Sequence, residues 1–304
     1  MLASSESTTL KASKKNFLRS LTSKKPPATW RRKATAEQKK RTINDFLNVQ
    51  KQLRAEAMGS LPREFRVIFQ NQINKFKDEA LLLGARTRLA NKAQPDETWS
   101  DEEIALVIAI LVEAARNAFL RDTLLVQMAR SKYQSLIDRG YTRARFVLGE
   151  GDGLRNPALA SRNENLLRTT ALINQASFAM AEFRITREIL RTNLLNINTS
   201  WADAVTAVTK SITERVASNS RLTTIARTDG GRAVDEGIKE AFDKSEIVTH
   251  CSVVGCMAIE PRIPTYNGVP TCNIKDVPTE DVDIVEFHIN HTGLWIPSKI
   301  VQRD

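Results

Sequence analysis

Residues 221–237 read RLTTIARTDGGRAVDEG, and small residues recur through this stretch at helical spacing. Successive members of the stripe lie four, three and four positions apart, which places them on one face of an α-helix. A face without bulky side chains lets a neighbouring helix approach closely. The stretch therefore predicts a helix held by close packing at Ala226, Gly230, Ala233 and Gly237.

The helical pattern extends over residues 35–245, where proline is rare and where we place Pro62 and Pro157 at junctions between helices. Ser100 precedes three acidic residues, a combination typical of a capped helix start. Apolar residues then keep helical spacing as far as Arg139, so we predict one helix of about 58 Å from Asp101 to Arg139. Further helices are predicted at about 162–197 and 201–217.

The longest apolar run, Ile104–Val112, has nine residues. A helix needs about 20 apolar residues to cross a bilayer. The run therefore predicts a buried helix, and we expect no membrane partner.

The positive charge is concentrated at the N-terminus. Residues 1–44 hold twelve basic and two acidic residues, which equals the net charge of +10 of the whole chain. Residues 1–34 are also rich in Ser, Thr and Lys, so we predict a disordered arm. Such an arm is either a solubilising tail or a segment that binds nucleic acid by releasing counterions. The candidate nucleic-acid contacts are Lys14, Lys15, Lys24, Lys25, Arg31, Arg32, Lys33, Lys39, Lys40 and Arg41.

All three cysteines and all three histidines lie in one window, from His250 to His291. Cysteine and neutral histidine are preferred zinc ligands, and two close pairs separated by a loop can complete a tetrahedral site. We predict that a structural Zn²⁺ is held by Cys251, Cys256, His288 and His291, with Cys272 and His250 unassigned. The alternative is that these side chains fill a core without a metal.

The same region changes from helical to β character. The runs IVTHCSVV and VDIVEF favour strands, and the sequence Tyr266-Asn267-Gly268-Val269 predicts a two-residue hairpin of type I′. We therefore predict a mainly α protein. An elongated bundle of long helices (35–245) lies between a disordered basic arm (1–34) and a small β-rich, zinc-stapled module (246–304) that is too small to rely on its own core.

Several motifs resemble, in order, those of the phage head-morphogenesis (minor head) family typified by the F protein of bacteriophage Mu. The family motif I-A-R-T-E…A…G is similar to Ile225–Asp229, followed by Ala233 and Gly237. Cys251 and Cys256 resemble the family's cysteine pair. Residues 288–291, His-Ile-Asn-His, resemble its closing H-P-N-C, with Asp229 in place of Glu and His291 in place of Cys.

The resemblance implies a structural virion protein and not an enzyme. It implies association with the portal protein and the inner capsid, a location inside the virion head, and the host cytoplasm during assembly. It implies no small-molecule substrate. Packaged double-stranded DNA would be contacted through the basic arm. The alternative function is a metal-dependent HNH-like nuclease, because HINHTG (residues 288–293) also resembles nucleases in which one His activates water and another holds a divalent ion.

Overall fold

The computed structural model describes residues 36–87, 99–151, 160–191, 199–255, 265–266, 269–270, 275–279 and 293–300. These ranges are mainly helical, which confirms the predicted fold class at that level. None of the described helices is long and apolar enough to cross a membrane. The predicted arm 1–34 lies outside the described residues. The helices are α1 (Ala36–Arg86), α2 (Asp101–Phe119), α3 (Leu124–Val147), α4 (Ala160–Arg191), α5 (Trp201–Val216) and α6 (Asn219–Asp243).

Helix α1 has 51 residues, a length of about 76 Å. It contains Pro62, so the predicted junction at this residue is wrong. A proline inside a helix costs about 3 kcal/mol, because it removes a backbone hydrogen bond and crowds the preceding turn. Buried apolar side chains continue on both sides of Pro62, with Ala57 and Leu61 before it and Phe65 and Phe69 after it. Their packing offsets the cost and keeps the helix continuous.

The predicted helix Asp101–Arg139 is in fact two helices, α2 and α3, so this prediction is wrong. The capping box is confirmed at the start of α2, since the Ser100 hydroxyl accepts a hydrogen bond from Glu103 N, and Ser100 N donates to the Glu103 carboxylate. After α2 ends, the Asp122 carboxylate accepts a hydrogen bond from Leu124 N and shapes the turn into α3. The apolar run of α2 buries one face of the helix, with Val107, Ile110 and Leu111 in the core, whereas Leu106 is 43% exposed.

Helices α4 and α5 agree with the predicted helices where the structure describes them. The start of α5 is set by Ser200, whose hydroxyl accepts a hydrogen bond from Asp203 N. At the same end of α5 the Trp201 indole donates a hydrogen bond to the Ala80 carbonyl, and this bond ties α5 to α1.

The strands are β1 (Val248–Val254), β2 (Thr265–Tyr266), β3 (Val269–Pro270), β4 (Val277–Pro278) and β5 (Leu294–Ile300). Strand β1 lies between β4 and β5 in an antiparallel sheet. Strands β2 and β3 pair with Tyr266 opposite Val269, so the predicted two-residue hairpin is confirmed. Its turn type rests on residues 267–268, and the VDIVEF run on residues 282–287, both outside the described ranges.

The three-stranded sheet shares one hydrophobic core with the helices. Trp295 of β5 is fully buried, and Val248 and Val253 of β1 lie in the same cluster as the buried residues of α1 and α6. The Gln50 side chain on α1 donates to the Trp295 carbonyl (2.6 Å) and accepts from the Trp295 amide (2.8 Å). Gln50 therefore bonds β5 as a neighbouring strand would, and the three-stranded sheet is anchored on the helices.

Candidate functional site

Helix α6 contains the opening stretch 221–237 and packs closely against both α1 and α3. The four predicted packing positions are all buried, and the Gly230-Gly231 pair leaves the helix unbroken. A methyl group on Gly230 would lie 2.9 Å from Leu61 Cδ1 of α1. A methyl group on Gly237 would lie 2.8 Å from the backbone nitrogen of Tyr141 on α3. The absence of side chains at these two glycines sets the distances from α6 to its neighbours.

A buried ion pair joins α6 to α1 and to the sheet. The Arg54 guanidinium lies 2.6 and 2.7 Å from the two carboxylate oxygens of Asp235, which is fully buried. The same guanidinium donates a hydrogen bond to the Gly293 carbonyl (2.7 Å), one residue before β5. Burial raises the pKa of Asp235 to about 6, and the attraction of Arg54 opposes this shift. Arg54 on α1 therefore links α1 to α6 and to the start of β5.

Asp229, the residue that stands where the family motif has Glu, is also buried on α6. One of its carboxylate oxygens lies 3.6 Å from the guanidinium of Arg232. Burial raises the pKa of Asp229 to about 6, although Arg232 opposes the shift. Tyr133 on α3 is fully buried, and both its burial and the Asp229 charge raise the pKa of its hydroxyl. Asp229 and Tyr133 are thus titratable groups within the helix-packing region.

The C-terminal turns of α6 hold two further buried charges. Lys239 pairs with Asp243 (2.7 Å), and the fully buried Glu240 pairs with Lys244 (2.6 Å). The Lys244 ammonium also lies 5.4 Å from the centre of the Tyr141 ring on α3. These contacts stabilise the end of α6 where the chain turns into β1.

Cys251 is the one predicted zinc ligand that the structure describes, and it is fully buried on β1. Burial raises the pKa of its thiol to about 12, with a lowering contribution from Lys239 and a raising one from Asp243. Without a bound metal ion, the thiol is therefore protonated at neutral pH. A buried cysteine is compatible with a structural zinc ligand, because a bound zinc ion stabilises the thiolate that burial disfavours.

The rest of the predicted zinc site is not described. Cys256, His288, His291 and the unassigned Cys272 lie outside the described ranges. His250 is described and is partly exposed, with its Nδ1 atom 3.0 Å from Thr249 Oγ1. Within the described ranges, no three His, Cys, Asp or Glu side chains lie close enough together to hold a metal ion. The four-ligand zinc site stays a prediction.

Three of the ten predicted nucleic-acid contacts are described. Lys39, Lys40 and Arg41 are exposed on the first turns of α1. The other seven lie before Ala36, outside the described residues.

Sequence reasoning missed Gln50 and Arg54, which connect α1 to the sheet. A signal for Gln50 exists in the sequence, because it continues the apolar spacing of Phe46, Leu53 and Ala57 and so lies at a buried position. A polar residue on a buried face needs a hydrogen-bond partner. The sequence pattern cannot say that the partner of Gln50 is Trp295.

The chain was compared with protein families, curated proteins and solved structures. No protein-family model, curated protein or solved structure matches the chain.

Proposed function

We propose that the protein is a minor head (head-morphogenesis) structural protein of a tailed bacteriophage. It associates with the portal and the inner capsid during head assembly, and it is not an enzyme. The observation that carries the proposal is the order of the family-like motifs along the chain. Ile225–Asp229 lie on the buried helix α6, and Cys251 follows on β1, which is the next element.

The contacts of α6 support a structural role. Asp235, Lys239 and Glu240 are buried, and each forms an ion pair that holds α6 or joins it to another element. Removing one partner of a buried ion pair is strongly destabilising, so the Arg54–Asp235 pair holds α1 and α6 in one arrangement. A protein that presents a surface to a large assembly benefits from such a fixed arrangement.

The proposal includes a structural zinc ion held by Cys251, Cys256, His288 and His291. Four protein ligands fill a tetrahedral zinc site and leave no position for a reactive water. The zinc would then fix the segment that follows α6 and would have no part in catalysis.

The proposal also includes contact between the basic arm and packaged double-stranded DNA. The exposed side chains of Lys39, Lys40 and Arg41 continue the basic segment onto the first turns of α1. Each phosphate contact contributes a slope of about −0.9 to the dependence of log K on log salt concentration. Replacing Lys39, Lys40 and Arg41 by Gln should therefore weaken DNA binding and reduce the salt slope by up to about 3.

A binding experiment with the portal tests the proposal directly. The full chain is mixed with the portal ring of the same phage, and the mixture is analysed by sedimentation. We expect a defined complex and no cleavage of added DNA. Failure to form a complex would contradict the structural role. Mg²⁺-dependent nicking that His288→Ala abolishes would favour the nuclease alternative.

A further inference from the structure

Helix α4 has an apolar stripe on its outer surface. Three large apolar side chains on this surface are more than half exposed: Leu172 (54%), Phe183 (60%) and Leu190 (54%). Ala176 and Ala179 lie between them and are also exposed. We call Leu172, Ala176, Ala179, Phe183, Thr186 and Leu190 the α4 seam, in which Thr186 is the one polar member and is half-buried.

The seam is separate from the face that holds α4 in the protein. The inner face of α4 is formed by Ile173, Ala181, Ile185 and Ile189, all of them buried in the core. Helix α4 is therefore apolar on two sides, while a surface helix needs only one apolar stripe. Regular exposed apolar surface of this kind marks an interaction site.

The spacing of the seam identifies the kind of partner. Its members lie four, three, four, three and four positions apart, which is the alternation of a heptad repeat. This period of 3.5 residues keeps a seam facing a second helix in a left-handed coiled coil. Ala176, Phe183 and Leu190 take the a positions, and Leu172, Ala179 and Thr186 take the d positions.

Two exposed charges beside the seam identify the partner as a second copy of this chain. Glu182 lies at a g position and Arg187 at an e position, and both are exposed. In a parallel two-stranded coiled coil, a g residue faces the e residue five positions later on the other helix. Glu182 would then face Arg187 of the partner subunit, and symmetry would form this pair twice.

An antiparallel pairing lacks this complementarity. Antiparallel helices bring g positions opposite g positions, so a seam centred near residue 181 would place two Glu182 carboxylates together. Like charges in this position disfavour the arrangement. We propose that the protein forms a parallel homodimer through the α4 seam.

The dimer is independent of the proposed function.

The size of the contact sets the expected affinity. One helix spanning residues 172–190 gives a seam of about 27 Å. A contact through one such helix is smaller than the roughly 800 Å² per partner of a standard interface. We therefore expect a dissociation constant in the micromolar range.

The test is sedimentation equilibrium of the full chain over a range of protein concentrations. The wild-type protein should change from monomer to dimer as its concentration rises. Phe183→Ser should weaken the dimer at least tenfold, because it removes a large apolar side chain from each half of the contact. The matched control is Val67→Ser on α1, where the valine is 62% exposed and lies outside the seam, so the dissociation constant should not change. Circular dichroism checks that both variants remain folded.

Charge reversal tests the parallel arrangement. Glu182→Arg should weaken the dimer about tenfold, because two attractive pairs become repulsive. Combining Glu182→Arg with Arg187→Glu should restore it, since the pair is re-formed with its charges exchanged. A wild-type chain that stays monomeric, or a dimer that Phe183→Ser leaves unchanged, would overturn the proposal. A double variant no better than Glu182→Arg alone would overturn the parallel pairing.

Discussion

Replacing Gly237 by alanine tests whether the close approach of α6 and α3 holds the protein together. A methyl group at this position would lie 2.8 Å from the Tyr141 nitrogen and 2.9 Å from the Ile137 carbonyl carbon, and it would overlap the Ile137 carbonyl oxygen. Carbon atoms in good contact lie about 3.5–4.0 Å apart. The obstructing atoms belong to the backbone of α3, so no side-chain rotation can relieve the overlap. The two helices must separate by about 1 Å.

The size of the effect follows from two opposing contributions. Overpacking a well-packed core costs about 1–3 kcal/mol, and a clash between two backbones belongs at the upper end of that range. Alanine has a helix propensity about 1 kcal/mol better than glycine. We therefore expect Gly237→Ala to lower the free energy of unfolding by about 2 kcal/mol.

Two other glycines provide matched controls for Gly237. Gly59 on α1 has open space where a methyl group would lie, so Gly59→Ala should raise the free energy of unfolding by about 0.5–1 kcal/mol. At Gly230 the nearest atoms are the Leu61 methyl at 2.9 Å and the Ala57 methyl at 3.1 Å. Since the Leu61 side chain can rotate away, Gly230→Ala should fall between the other two.

Urea unfolding followed by helical circular dichroism measures all three variants on one scale. We expect the midpoints to rise in the order Gly237→Ala, Gly230→Ala, Gly59→Ala, with a constant slope. If Gly237→Ala is as stable as the wild type, the close approach of α6 and α3 is not a stabilising contact and the packing argument is refuted.

Three further predictions concern charge and metal. The pKa of Asp229 in the folded protein, about 6, is above its ordinary value of 3.8, so folding becomes less favourable as this carboxyl loses its proton. The free energy of unfolding of the wild type should therefore fall by about 2 kcal/mol relative to that of Asp229→Asn as pH rises from about 4 to about 7.5. Parallel curves of stability against pH for the two proteins would contradict this. Arg54→Met should lower the free energy of unfolding by about 3 kcal/mol at neutral pH, because it leaves the Asp235 carboxylate unpaired. Adding Asp235→Leu should recover most of this loss, as measured by thermal or urea unfolding. If the double variant is no more stable than Arg54→Met, loss of the ion pair is not the cause of the destabilisation. Elemental analysis should find one zinc per chain, lost in Cys251→Ser and kept in Cys272→Ser; a metal-free wild type would exclude the zinc site.

The features predicted correctly from the sequence depend on residues close together in the chain. The capping box of Ser100 and Glu103 spans three positions, and the pairing of Tyr266 with Val269 encloses a two-residue loop. In each case the residues that define the feature lie within four consecutive positions of the chain. Local chemistry is therefore sufficient to predict them.

The wrong predictions came from reading local signals without their tertiary context. Pro62 is a local signal for a break, but the buried face of α1 on both sides of it keeps the helix continuous. Around Asp122 the apolar spacing continues although the chain turns, because α2 and α3 each bury one face in the same core. Periodicity reports which face is buried and does not report whether one helix or two provide it.

The sequence by itself determined the helical class, the capping box at Ser100, the hairpin, the small-residue stripe of α6 and the concentration of charge before residue 45. Only the tertiary structure decided which elements these features meet. Gln50 and Trp295 are 245 positions apart, and Arg54 and Asp235 are 181 apart, yet each pair forms hydrogen bonds in the interior. The physical reason is that a buried polar group must bond to a group that the fold brings close to it in space. The spacing of residues along the chain does not specify which group that is.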